Sequence, residues 1–122
     1  MEKITLILVA LVAVEHIYIM VLEMFLWTKP RTLNVFGFSK EEAERTTVLA
    51  ANQGVYNGFL AAGLVWGLCY PDAVIGGQIQ AFFLSCVFTA ALYGGTTVNK
   101  KIYIMQGLPA LLALLLVIIN IT

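Results

Sequence analysis

The chain has 122 residues, of which 61% are hydrophobic and only 11% are charged, and its seven Lys and Arg side chains balance its seven Asp and Glu side chains. Soluble domains are about 45–50% apolar and about 25% charged, so this composition excludes a water-soluble fold and predicts a lipid bilayer as the surroundings. Zero net charge without a basic cluster also excludes nucleic acid as a partner.

Four apolar stretches are long enough to cross a hydrocarbon core of about 30 Å, which takes about 20 helical residues. Pro or Gly marks each break between them, at Lys29-Pro30-Arg31, Tyr70-Pro71-Asp72 and Gly94-Gly95. The alternating segments that are typical of membrane β-barrels are missing. We therefore predict one all-α domain, a four-helix transmembrane bundle with spans over residues 4–27, 46–68, 73–94 and 102–121.

The positive side chains predict the orientation of these spans. Six of the seven lie in the segment 28–45 or at Lys100-Lys101, and only Lys3 lies on the other side. Because cytoplasmic connections carry the excess of Lys and Arg, we predict a cytoplasmic loop over 28–45 and both termini on the extracytoplasmic side.

Two features of the loop 28–45 indicate local structure. Ser39 and Glu42 have the spacing of a capping box, so we expect the second long helix to begin near Lys40. Just ahead of it, Phe36-Gly37-Phe38 is expected either to lie at the lipid headgroups or to form a lid over a cavity that faces the cytoplasm.

The first span, in the stretch VEHIYIMVLEMFLW, carries three ionisable residues: Glu15, His16 and Glu23. Each costs about 2.5–3.5 kcal/mol at the centre of a membrane helix, so such groups normally face the bundle interior and have a function. At a rise of about 1.5 Å per residue, Glu15 and His16 fall near the midplane and Glu23 about 11 Å toward the cytoplasm. His16 and Glu23 also align on one helix face.

Amides from other spans fall near the same depth. In the stretch NQGVYNGFLAAG of the second span, Asn57 falls at the midplane and Gln53 and Asn52 fall about 6 to 8 Å toward the cytoplasm. Gln106 of the fourth span falls about 8 Å from the midplane on the same side. Gly54 and Gly58 form a GxxxG pattern beside them, which predicts close helix packing. We therefore predict a polar pocket in the inner half of the bilayer. Its predicted catalytic pair is Glu23 and His16, and its predicted ligand-binding residues are Glu15, Asn52, Gln53, Asn57 and Gln106.

Other chemistries lack their residue patterns. His16 and Glu23 are separated by about 10 Å along the helix, and there is no second His, so we expect no metal site. The chain has no Gly-rich phosphate loop and no Ser–His–Asp spacing, and we expect no cofactor.

Together with Gly94-Gly95-Thr96-Thr97 and the stretch QGLPALLAL from Gln106, the segments quoted above make the whole chain resemble an uncharacterised family of small bacterial membrane proteins with four spans, domain of unknown function 1304. The resemblance implies the bacterial cytoplasmic membrane and an all-helical fold. It implies no activity.

Three functions fit this pattern. The leading hypothesis is a pocket for a lipophilic or amphiphilic small molecule, with acid–base chemistry by Glu23 and His16. The second is a proton-coupled exporter that acts as a homo-oligomer, with Glu15 or Glu23 as the coupling carboxylate. Small multidrug-resistance transporters are similar in length and in their central Glu, but the long, positive first loop differs from theirs. The third is an accessory membrane subunit whose polar layer only holds the helices in register.

Overall fold

A computed structural model describes residues 1–122 as an all-helical chain without strands. Its six α-helices are α1 (Lys3–Phe25), α2 (Pro30–Phe36), α3 (Lys40–Arg45), α4 (Thr47–Cys69), α5 (Ala73–Thr97) and α6 (Leu108–Ile121). A π-helical turn, Tyr103–Gly107, leads directly into α6. The all-helical class is confirmed. Three helices, α1, α5 and α6 with its π turn, are long and apolar enough to cross a membrane.

The four long helices pack side by side in a closed ring, in which α4 and α6 each contact both α1 and α5. Nine buried side chains from all four helices form its core: Val9, Val12, Ala13, Leu64, Leu84, Val87, Ala110, Ala113 and Val117. The α1 members lie in the first half of that helix and the α6 members near the chain's end. The core therefore fills the half of the ring that lies nearer the two termini.

α4 has the 23-residue length of α1 but a less apolar composition. Its first half carries Asn52, Gln53 and Asn57 beside Gly54 and Gly58, and these polar side chains lower its mean hydropathy. Its second half is apolar and contributes Leu64 to the core.

A glycine of α4 controls how closely this helix approaches α1. A Cβ atom added at Gly54 would lie 3.2 Å from Glu23 Cβ and 3.2 Å from the Met20 carbonyl oxygen, and it would overlap Met24. Only a residue without a side chain permits this approach, so the predicted packing role of Gly54 is confirmed.

α4 and α5 are tightly joined at one end. A Cβ atom at Gly67 would lie 2.9 Å from the Gly76 carbonyl oxygen of α5. The turn between the helices is short because Asp72 caps α5 at once, with its side chain accepting a hydrogen bond from the Ile75 N–H at 2.9 Å. The short turn therefore keeps the end of α4 and the start of α5 in close contact. The start of α4 and the end of α5 are not joined by a turn.

The segment predicted as a cytoplasmic loop contains α2 and α3. Pro30 begins α2, and Gly37 ends it with a φ of 75°, the left-handed conformation that glycine adopts without strain. Ser39 and Glu42 exchange the two hydrogen bonds of the predicted capping box. α3 begins at Lys40 as expected, but it ends before α4 begins. α1 also ends at Phe25, two residues earlier than predicted.

We predict that Gly54→Ala lowers the free energy of unfolding by about 1–3 kcal/mol, because the added methyl group overlaps α1. Gly94→Ala is the matched control, since its Cβ would meet only Ile102 side-chain carbons at 3.4 and 3.5 Å. Alanine favours a helix over glycine by about 1 kcal/mol, so this control should be neutral or mildly stabilising. Thermal melting in detergent, followed by circular dichroism, measures both. Equal melting temperatures for the two variants would contradict the close approach at Gly54.

Candidate functional site

A cavity of about 460 Å³ lies between the first half of α4 and the second half of α5, on the opposite side of the core from the termini. Its polar lining consists of Glu23, Thr46, Gln53, Asn57 and Gln106, and its aromatic lining consists of Trp27, Phe36 and Phe38. Aliphatic side chains from α4, α5 and the segment that leads into the π turn complete the wall. Four residues predicted for one pocket, Glu23, Gln53, Asn57 and Gln106, are thus brought together.

Glu23 is held in the cavity wall by α4. It lies in the last turn of α1, is 8% exposed, and its Oε1 accepts a hydrogen bond from Asn57 Nδ2 at 2.5 Å. Gly54 lies one turn before Asn57, and its missing side chain lets α1 come close enough for this bond. The bond links the only carboxyl group of the cavity to the neighbouring helix.

This bond corrects the depths that the sequence predicted. Centring each span in the bilayer separates Asn57 from Glu23 by about 11 Å along the bundle axis, whereas in the structure their side chains are in hydrogen-bond contact. The prediction was wrong because α4 is shifted along α1, so that Gly54 faces Met20 and Met24. The part of α4 before Gly54 is about 10 Å long, and it contacts the segment 27–46 rather than α1.

Trp27, Phe36 and Phe38 form what we call the aromatic lid of the cavity. The Trp27 ring centroid lies 5.0 Å from that of Phe36 and 5.5 Å from that of Phe38. Trp27 Nε1 donates a hydrogen bond to Thr46 Oγ1 at 3.1 Å, which ties the lid to the start of α4. Phe36 and Phe38 both line the cavity, as the lid alternative for Phe36-Gly37-Phe38 expects. Sequence reasoning missed Trp27 because a tryptophan near a span end is usually a membrane-interface anchor.

Gln106 reaches the cavity from the π turn. Pro109 has no N–H with which to continue the α-helical pattern, and the Leu108 N–H instead bonds to the Tyr103 carbonyl oxygen. Such wide turns place a side chain where a regular helix would not, and they are frequent at functional sites. The side-chain amides of Gln106 and Gln53 form no hydrogen bond within the chain.

His16 does not line this cavity. It lies two turns before Glu23, about 10 Å along α1, where the core fills the interior. The ring is 1% exposed, and its Nδ1 donates a hydrogen bond to the Val12 carbonyl oxygen at 2.9 Å. The shared helix face was a correct inference, but alignment on a face does not bring two residues to the same depth.

Two further predicted residues also lie elsewhere. Glu15 faces a separate groove of about 420 Å³ between α1 and α6, lined by leucines, Val12 and Pro109. Its buried Oε1 has no hydrogen-bond partner and lies 3.9 Å from His16 Nδ1. Asn52 does not line the cavity, because it is turned by about 100° from Gln53 on the helix. The cavity therefore holds neither of them.

Comparison with known proteins places the chain among relatives of undetermined function. The sequence profile of a family described as "Protein of unknown function (DUF1304)" matches residues 10–118. The chain belongs to this family. An "Uncharacterized protein YpaA" from Lactococcus lactis subsp. lactis (strain IL1403) is 43% identical to this chain over 117 residues, which cover 94% of this chain and 97% of the relative. No solved structure matches the chain significantly. All residues that line the cavity lie within the family match.

We predict that Asn57→Ala lowers the free energy of unfolding by about 1–3 kcal/mol, because Glu23 loses its hydrogen-bond donor while it stays buried. Asn52→Ala is the matched control, since Asn52 is exposed on the same helix and forms no side-chain hydrogen bond. Chemical denaturation in detergent, monitored by tryptophan fluorescence, compares the two variants. If Asn52→Ala is as costly as Asn57→Ala, the bond to Glu23 contributes nothing specific.

Proposed function

We propose that this protein crosses the bacterial cytoplasmic membrane four times and binds a lipophilic or amphiphilic small molecule in the cavity under the aromatic lid. The observation that carries the proposal is the lining, in which one carboxyl group and three amides face a space that is otherwise mostly apolar. Small-molecule sites typically combine apolar walls with a few placed polar groups and have volumes of about 300–1,000 Å³. The cavity, at about 460 Å³, falls in this range.

The proposal includes α4 as the fourth span. Its 23 residues equal the length of α1, and it packs between α1 and α5, both of which are apolar enough to cross a membrane. Its outward surface carries exposed Val55, Phe59, Val65 and Trp66, which lipid would cover. With six of the seven positive side chains in the segment 28–45 and at Lys100-Lys101, the proposed orientation puts the lid in the cytoplasm and both termini outside.

Thiol labelling in intact bacteria tests this orientation. In a Cys86→Ala background, Cys69 at the exposed end of α4 is expected to react with a membrane-impermeant maleimide added outside the cells. A cysteine introduced by Ser39→Cys in a chain that also carries Cys69→Ala is expected to react only in inverted membrane vesicles, because Ser39 lies in the proposed cytoplasmic segment. The opposite labelling pattern would reverse the orientation.

The shape of the interior supports binding more than transport. The nine-residue core lies between the cavity and the end of the ring that holds the termini. An exporter needs access from both sides, which this core blocks within one chain, so the exporter hypothesis requires an oligomer. We assign any proton transfer with the ligand to Glu23, the one ionisable side chain in the cavity wall.

Binding of 4-phenylbutanol to the protein in phosphatidylcholine nanodiscs tests the proposed pocket. In a Trp66→Phe background the remaining tryptophan is Trp27 of the lid, so its fluorescence reports on the cavity. We expect a saturable change, and we expect Ala90→Phe to weaken binding at least about fivefold, because Ala90 lines the cavity and the larger ring occupies it.

Ala62→Phe is the control for this experiment, because Ala62 is exposed on α4 outside the cavity wall. This variant should bind 4-phenylbutanol like the Trp66→Phe parent, and empty nanodiscs give the background from partition into lipid. If the signal does not saturate, or if Ala90→Phe and Ala62→Phe have equal effects, the cavity is not a small-molecule site.

A further inference from the structure

Three polar side chains in the wall of the cavity, Trp27, Thr46 and Asn57, already use their hydrogen-bond donors. Trp27 Nε1 donates to Thr46 Oγ1, and the Thr46 hydroxyl donates to the Glu42 carbonyl oxygen at 2.8 Å. Asn57 Nδ2 donates both to Glu23 Oε1 and to the Gln53 carbonyl oxygen, the latter at 3.2 Å. An amide NH₂ group has two donors, so Asn57 has none left for a ligand.

The acceptors, by contrast, remain free. The second carboxyl oxygen of Glu23 and the side-chain oxygen of Asn57 have no hydrogen-bond partner in the chain, and neither have the amides of Gln53 and Gln106. Glu23 is also the only side chain in the wall that can carry a formal charge, and no Lys or Arg lines the cavity. The two glutamine amides can donate or accept, but the free oxygens of Glu23 and Asn57 can be satisfied only by a ligand that donates hydrogen bonds, and the one carboxyl group favours positive charge on that ligand.

The lid favours the same ligand class. Trp27, Phe36 and Phe38 line the same cavity as the carboxyl group, and aromatic faces attract organic cations. An apolar wall with one acidic group and aromatic rings matches a molecule that has an apolar body and a compact cationic end.

We infer that the ligand of this cavity is an amphiphilic organic cation whose ammonium group donates hydrogen bonds to Glu23 and the adjacent amide oxygens while its apolar body lies under the aromatic lid. This inference rests on the proposed function, because it names the ligand class of the proposed pocket. It requires Glu23 to act as a carboxylate in the complex, with Asn57 holding its other oxygen.

The test compares three probes that share one 4-phenylbutyl body: 4-phenylbutylamine, 4-phenylbutanol and 5-phenylpentanoate. Each is titrated into the protein in phosphatidylcholine nanodiscs, with Trp27 fluorescence in the Trp66→Phe background as the signal. The amine is expected to bind about tenfold more tightly than the alcohol, and the carboxylate more weakly than both. This comparison needs no change in the cavity, so it decides the ligand class even if a cavity variant does not fold.

Glu23→Gln is expected to weaken binding of the amine about tenfold and to change binding of the alcohol by less than about twofold, since the amide keeps an acceptor for Asn57. Glu41→Gln is the matched control, because it removes an exposed carboxylate in α3 outside the cavity, and amine binding should not change. An equal loss in both variants would attribute the amine preference to the overall charge of the protein and overturn the inference.

The outcomes separate this inference from the function on which it rests. If the alcohol binds with the expected sensitivity to Ala90→Phe but the amine binds no more tightly, the cavity is a pocket and the cation inference is wrong. Tighter binding of the carboxylate would overturn the inference in the same way. If none of the three probes gives saturable binding, the proposed pocket itself is wrong.

Discussion

The contact between α1 and α4 at Gly54 is the constraint on which the rest of the structure depends. Without a side chain at this position, the two helices come close enough for Asn57 to bond Glu23 across their interface. That bond and that approach set the register of α4 along α1. Because α4 is shifted, its first turns extend beyond α1, and there Thr46 accepts the hydrogen bond of Trp27 and holds the lid.

The helix ring is filled unevenly, and this unevenness creates the cavity. On the side of the termini, the short side chains of Ala13, Ala110 and Ala113 pack with larger aliphatic residues and leave a solid core. On the other side, α4 presents amides where a core would need apolar groups, and α5 presents Ala90 and Gly94, which are too small to fill the space. On the side of the segment 27–46, the remaining volume is bordered by the aromatic lid rather than by a fifth helix.

Much of the polar lining could be predicted from spacing. Gln53 and Asn57 share a face of α4 because they are four residues apart. Glu23, at the end of its helix, and Gln106, at the start of its own, lie at the same end of the bundle. Helix geometry therefore predicted one inner pocket. His16 and Asn52 show where this reasoning fails. His16 lies on the same face of α1 as Glu23 but two turns further from the cavity, within the core. Asn52 is next to Gln53 along α4 but does not line the cavity. A lid was only one of two alternatives for Phe36-Gly37-Phe38, and Trp27 was not included in it, because loop residues carry no periodicity that predicts where they fold back.

By itself, the sequence determined the all-helical class, the apolar helices, the capping box at Ser39 and the tight turn at Asp72, because each follows from residues that are neighbours along the chain. Only the tertiary structure decided which polar groups meet. The shift of α4 along α1, the widened turn before Pro109 and the folding of Phe36 and Phe38 onto Trp27 all depend on contacts between distant segments. Helical periodicity specifies the direction of a side chain around its own axis, but the height of one helix against another is set by packing.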